Sequence, residues 1–530
     1  MQQQAFQSFC ARRWRSVAKP VKFAFFSCFL AGLLIHFFAF TNIIPNSDGI
    51  SRVYDPQQMT IVGRWFLHYA SWLNAYTQMP ALIGVLSCLL LSLAAALTVS
   101  MLRMEHCLSA AAVGVLMTAI PAMAYTYLYM FTASAYCLAI LLAVFAVYLT
   151  ERLRFGWLWG SLPLALSVGI YQAYVTVAIS LCLMLTILRA LRAPDRPREI
   201  LFSGLKKIAF LCLGMAIYFV VLQIFLRVKQ LELLNYLNMN DTFANYPVSR
   251  LPQILLQTYK QVAVHYFYPH GFVGRAIIAC NLVLAALALA ALVQRLRRAE
   301  SVSVWSVVML AAMLALLPLA VNFTQVLSPS STPTPLMQYS FVLPLVLALA
   351  LLPSLQFRRA FLTRACALAA VVAVALLTLK FAQVDNLCYT ASAQAHRATE
   401  SFCTRLVGRI ESAEGYTPGM EVCIVGGYPS GYYASPIASF EAVRHYSCLP
   451  TTVTPLNKQI YYYLNKWLNV PIAEPEEQTL IAVAESDAFA AMPLYPADGS
   501  VQVVQGRVLV KLAETYTPKQ AYEIAYESRR

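Results

Sequence analysis

The residues best suited to chemistry gather in one polar segment. It reads Asn46-Ser47-Asp48-Gly49-Ile50-Ser51-Arg52-Val53-Tyr54-Asp55, followed by Gly63-Arg64-Trp65. A carboxylate such as Asp48 or Asp55 can take the proton of an attacking hydroxyl. A guanidinium such as Arg64 or Arg52 can grip a phosphate in a two-pronged fork. Residues 57–73 have helical period. Val62, Trp65, Phe66, Tyr69, Trp72 and Leu73 form an apolar stripe, opposite Gln57, Thr60, Arg64, His68 and Ser71. Arg64 and His68 are four apart and would share a face. The pattern predicts an amphipathic helix lying in a membrane interface, with its aromatics at headgroup depth. The plainer reading of the same pattern is an anchor helix with a solvated polar face.

A second polar segment, about 228–270, repeats the design with Lys229, Glu232, Asp241, Arg250, Lys260, His265 and His270. Across 250–266, Gln253, Gln257 and Lys260 oppose Leu251, Ile254, Leu255 and Val262. Taken singly, these polar residues read as solvated. His265, beside Tyr266, Phe267 and Tyr268, reads as part of an aromatic belt. The chain has no phosphate loop, no G-x-G-x-x-G and no zinc-helix motif, so neither ATP hydrolysis, a cofactor nor a metal is expected.

The elements that must position these residues are membrane helices. Of 530 residues, 59% are hydrophobic and 12% charged, against about 25% charged in a soluble domain. The apolar residues fall into blocks of membrane-crossing length, about 23–43, 80–102, 107–126, 130–150, 205–226, 273–293, 303–323, 337–356 and 363–383. The first is too long for a cleavable signal and has no small-residue cleavage site after it. Between Glu151-Arg152-Leu153-Arg154 and Arg189-Ala190-Leu191-Arg192 lies a stretch too long for one span and short for two. Two short helices near 157–188, turning at Gly169-Ile170-Tyr171-Gln172, resolve it. An irregular turn at that depth must be buried in protein or line a wet cavity.

With that hairpin, 20 Lys and Arg fall in the segments on one side of the membrane and eight in the loops and span edges on the other; the tail after residue 384 carries the remaining eleven. The positive-inside rule then places the N-terminus in the cytoplasm and the tail outside. The formal charge is +15; the tail after residue 384 carries −4 of it, leaving +19 on the membrane part. That is a topology signal and an attraction to anionic membrane lipids, not a nucleic-acid footprint. The expected organisation is a cytoplasmic arm (1–22), a membrane bundle of about nine spans plus the hairpin (23–383), and an extracytoplasmic domain (384–530). The fold class is mainly α, with interfacial amphipathic helices and a small C-terminal α/β domain.

In the tail, 393–413 reads as helix, Glu421–Gly426 as a strand running into a glycine turn, and Val501–Val504 with Arg507–Leu512 as a hairpin about Gln505-Gly506. Its four cysteines, Cys388, Cys403, Cys423 and Cys448, allow disulfides outside the cell. Nearest-neighbour pairing, Cys388 with Cys403 and Cys423 with Cys448, is one of three arrangements. Tyr432, Tyr433 and Tyr461 to Tyr463 can stack on sugars or fill a core.

Interfacial helices and an outer domain over a membrane bundle suit a substrate that is half lipid and half polar. A polyprenyl phosphate carrying a sugar is such a molecule. Its chain needs an apolar groove, its phosphate an arginine, and the sugar acceptor a carboxylate base. The phosphate leaves readily, so no general acid is needed.

Ser47-Asp48 through Gly63-Arg64-Trp65, the sequence Gly169-Ile170-Tyr171-Gln172 and the layout of blocks over about 20–385 resemble the serotype-converting Gtr type II glucosyltransferases of the GT-C superfamily. The resemblance implies transfer of one hexose, typically glucose, from a polyprenyl-phosphate sugar to a surface glycan such as O-antigen. It implies the outer face of a bacterial inner membrane, inversion at the sugar, and no metal. It matches Asp48 to the family's base, Arg64 to its Gly-Arg arginine near donor phosphate, and Tyr171 and Gln172 to a pair at the cavity floor. Gly49 stands where the family often has a second acidic residue; Asp55 is the nearest substitute. Arg52, His68 and Lys260 complete the substrate-binding candidates. The rival readings are a glycan polymerase or ligase using a lipid-diphosphate donor, a lipid-linked sugar flippase or transporter, and a membrane anchor for the tail. Charges are nearly absent from mid-span, against an ion-coupled carrier.

Overall fold

The computed structural model describes residues 15–234, 248–329, 333–428, 440, 443 and 457–516. The chain divides into two compact units. The first comprises Met1–Thr41, Pro56–Tyr127 and Thr132–Asn386; the second comprises Asn42–Asp55, Leu128–Phe131 and Leu387–Arg530.

The first unit is a helical bundle. Among the described residues seven helices are long and apolar enough to cross a membrane, or eight if the bent pair Cys107–Ala119 and Pro121–Leu128 is one span. That pair bends by 41° at Pro121, where proline removes a hydrogen bond from the helical ladder. The first apolar block is split into Lys19–Ile35 and Phe37–Thr41 at the buried His36. The block 337–356 carries Pro344 and Pro353 and yields only short pieces, Tyr339–Val342, Leu343–Leu351 and Leu352–Ser354. Small residues let backbones approach: a Cβ on Gly114 would lie 2.4 Å from the Ala24 carbonyl oxygen.

Two helices joined by a turn fill the stretch between the two basic flanks. Gly156–Ile170 rises to an extended Tyr171, a 3-10 turn spans Gln172–Tyr174, and Val175–Arg192 returns. The return leg with its turn, Gln172–Arg192, is itself of membrane-crossing length. Glu151, just before the first leg, lies 3.8 Å from Arg189 at the end of the second, and 2.7 Å from the buried Lys207. These ion pairs show that the chain comes back to the end where it started.

The 57–73 segment is not one amphipathic helix. It is broken into Thr60–Val62, Leu67–Ala70 and Ser71–Asn74, with left-handed backbone at Gln57 (φ 57°), Gly63 (φ 80°) and Ala75 (φ 50°). The faces do not sort as the period predicts. Gln57, Thr60 and Ser71 are buried, whereas Trp72 is 71% exposed. One turn closes locally, where the Arg64 N–H donates to Met59 O, while the Phe66 N–H donates to Gly169 O and fits the segment to the turn after Gly156–Ile170. The second polar segment forms one helix, Leu251–Phe267, burying Ile254, Thr258, Val262 and Tyr266 and exposing Gln253, Gln257 and Lys260.

In the second unit, strands β1 (Glu421–Val425), β2 (Val501–Val504) and β3 (Arg507–Lys511) form a sheet ordered β1-β3-β2. β1 runs parallel to β3, and β2 antiparallel to it. Gln505 (φ 51°) and Gly506 (φ 77°) close the β2–β3 hairpin; two positive φ values match the right-handed twist of the strands. Helix 393–413 is not separate. Residues 384–392 contain neither proline nor glycine, so the last apolar block continues as one helix, Ala360–Glu411. Cys403 and Cys423 are free thiols, so neither nearest-neighbour bridge is formed; Cys448 lies outside the described residues. Cys403 packs with Phe402 and Leu406, and Cys423 on the other side of β1 with Leu480 and Phe489. Both serve as small apolar residues, and burial pushes the Cys423 thiol up to about 11. Cys388 is buried.

Candidate functional site

In the first unit the structure joins two of the polar motifs. Gln172 Nε2 donates to Val62 O (2.8 Å), and the Tyr218 hydroxyl donates to Gly63 O (3.0 Å). Gly63 is required here: its φ is 80°, and a Cβ would lie 2.5 Å from Gln172 Nε2 and 2.6 Å from Tyr218 Oη. Trp65 is buried and stacks on Phe225 at 5.7 Å. A Cβ on Gly169 would strike the Trp65 ring at 2.7 Å.

Between these anchors lies Arg64. Its guanidinium carbon sits 4.6 Å from the centroid of the Tyr171 ring, and Nη1 donates to Tyr136 Oη at 3.3 Å. Tyr136 and Tyr171 stack at 4.9 Å, and Tyr174 meets both edge-on. A guanidinium over a ring gains about 0.5–2 kcal/mol. The ring and the Tyr136 hydroxyl together hold the guanidinium in place. Tyr136 and Tyr218 lie outside the polar segments; the sequence signal for both is a phenol in an apolar block, whose hydroxyl needs a partner.

His68 lies in the short helix Leu67–Ala70, which begins after Arg64. Its Nδ1 faces Pro56 O at 2.6 Å and its ring stacks on Tyr76. Lys260 is exposed on its helix, with no hydrogen bond or ion pair among the described residues. His265 is packed against Tyr266 and Phe341 beside a small cavity that Asn281 and Phe381 also line. Burial there, and His270 nearby, push its pKa down to about 3. Asp385 is fully buried, and among the described residues neither carboxylate oxygen has a hydrogen-bond partner.

The aspartate segment belongs to the second unit. Asp48 is exposed, and no hydrogen bond or ion pair engages its carboxylate among the described residues. Asp55 differs: it is tied to Arg52 at 2.6 Å. Arg52 also lies over the Phe131 ring, 5.2 Å from its centroid. Asp55 and Arg52 thus face each other as an ion pair. Tyr461 and Tyr463 are core: Tyr461 Oη donates to Val422 O and accepts from the Ile424 N–H at the edge of β1. Tyr432 and Tyr433 lie outside the described residues. Among the described residues no cluster of three or more His, Cys, Asp or Glu could hold a metal ion.

A bundle of apolar helices with a hairpin whose polar apex seats an arginine defines a polytopic membrane protein. The model of the family described as glucosyl transferase GtrII matches residues 37–345. The chain belongs to that family, and so to the glycosyltransferases. The matched region holds both Asp48 and the whole of the Arg64 seat. Comparison with curated proteins and with solved structures gives no match.

Proposed function

We propose that this chain transfers a single glucose from a polyprenyl-phosphate sugar to a surface glycan such as O-antigen. The reaction takes place on the outer face of a bacterial inner membrane, with the N-terminus cytoplasmic and the tail outside. The arrangement of basic residues supports that orientation. Asp48 is the base. It takes the proton of the acceptor hydroxyl as that oxygen bonds to the anomeric carbon from the face opposite the phosphate. The bond from that carbon to the phosphate oxygen breaks, and polyprenyl phosphate leaves with the electron pair. The sugar is thereby inverted, and no general acid is needed.

Arg64 stabilises the charge growing on the departing phosphate. The observation that carries this reading is its seat: a guanidinium locked by Tyr171 and Tyr136 at the hairpin apex, inside the family-matched region. Gln172 acts by holding the backbone on the N-terminal side of Arg64. The Arg52–Asp55 pair favours Asp48 as base over Asp55.

The test is sugar transfer from a polyprenyl-phosphate hexose in membranes carrying Asp48→Asn or Arg64→Ala. Loss of a general base costs about 10²–10⁴-fold. Arg64→Lys should recover little, since an ammonium offers no fork. Near-normal turnover by Asp48→Asn at normal membrane levels would end the base assignment.

A further inference from the structure

The segment that carries Asp48 is built into the C-terminal unit, not merely tethered near it. Ile50 is fully buried in the same hydrophobic core as Phe402, Ile424, Tyr461 and Leu464. Its carbonyl oxygen accepts a hydrogen bond from the Trp467 indole N–H at 2.9 Å. The next carbonyl, Ser51 O, accepts from Lys466 Nζ at 2.5 Å, and Ser47 O accepts from Gln459 Nε2 at 3.4 Å. These three donors lie on, or immediately after, the Asn457–Lys466 helix, and their acceptors bracket Asp48 on both sides.

The rest of the seat is equally defined. Gly49 N–H donates to Asn46 Oδ1 at 2.6 Å, and a Cβ on Gly49 would lie 3.6 Å from the Phe131 ring. Trp467 is itself fixed: it stacks on Tyr463 at 6.1 Å and meets His396 edge-on, while Tyr463 Oη and His396 Nε2 are 2.9 Å apart. A side chain locked by two rings loses little freedom when it donates its N–H. Asp48 is thus an exposed carboxylate on a backbone held from one helix, the arrangement that a positioned base requires.

We propose that Trp467, Lys466 and Gln459 are positioning residues for Asp48, and that the C-terminal unit is therefore part of the catalytic apparatus. This rests on the reading of Asp48 as base.

The test uses the full-length protein in membranes. Trp467→Phe keeps the ring stack and deletes the N–H; Lys466→Met keeps the stem and deletes the ammonium. Each should lower kcat about tenfold and leave KM for the polyprenyl-phosphate sugar within twofold. Hydrogen–deuterium exchange should quicken in the amides of 46–52 and stay unchanged in β1 and β3. A merely structural role would loosen the strands as well, and that outcome overturns the proposal. So does a kcat within twofold of wild type in both variants while Asp48→Asn is inactive; the base assignment then survives alone. If Asp48→Asn turns over normally, the base assignment fails first, and the positioning role with it.

Discussion

At the scale of residues, the site depends on a few groups whose surroundings leave no freedom. Gly63 is the sharpest case, because left-handed backbone and two crowding side chains act together. Gly63→Ala should destabilise the protein by about 1–3 kcal/mol from backbone strain alone, and displace Gln172 and Tyr218 from the carbonyls they hold. The expected outcome is a lower melting temperature in detergent and a loss of sugar transfer at least as large as that of Gln172→Ala. Arg64 and Asp48 could both be picked out from the sequence, as charged residues in a polar loop between apolar blocks. The state of their neighbours could not. That Asp55 pairs with Arg52, and that Tyr136 receives the Arg64 N–H, are consequences of contacts over three residues in one case and across 72 in the other.

At the scale of elements, hydrophobic period is kept in one polar segment and broken in the other. Leu251–Phe267 follows its period, exposing Lys260 and burying Ile254 and Val262. The 57–73 segment does not, because Gly169 O, Gln172 and Tyr218 take up its backbone groups and force turns. The Leu251–Phe267 helix also offers a pH test. Folding holds His265 neutral, with its pKa down at about 3, whereas in the unfolded chain it titrates near 6.5. Unfolding therefore takes up a proton below about pH 6.5, so its contribution to stability is intact above that pH and is lost as pH falls towards 3. Thermal melts at pH 7 and pH 5 should show a smaller drop for His265→Gln than for wild type; an equal drop would mean that the ring is already protonated or solvated.

At the scale of the whole molecule, the two units do not coincide with the two halves of the sequence. Charge content marks a change near residue 384, yet the compact C-terminal unit recruits Asn42–Asp55 and Leu128–Phe131 from far upstream. Deleting residues 390–530 should therefore do more than remove an accessory domain. It strips Ile50 of its core and the Asp48 backbone of three donors. Sugar transfer should vanish while the bundle still reaches the membrane, measured by fractionation beside activity; transfer at wild-type rate by the truncated chain would contradict this. The sequence by itself determined the membrane class, most of the helical blocks and the small sheet, because these follow from apolar length, local period and turn residues. Only the tertiary structure decided which polar groups meet: Arg64 with Tyr136 and Tyr171, Gly63 with Gln172 and Tyr218, and the Asp48 backbone with Trp467 and Lys466. Those contacts span tens to hundreds of residues, and no local pattern encodes a pairing whose free energy exists only once the chain has packed.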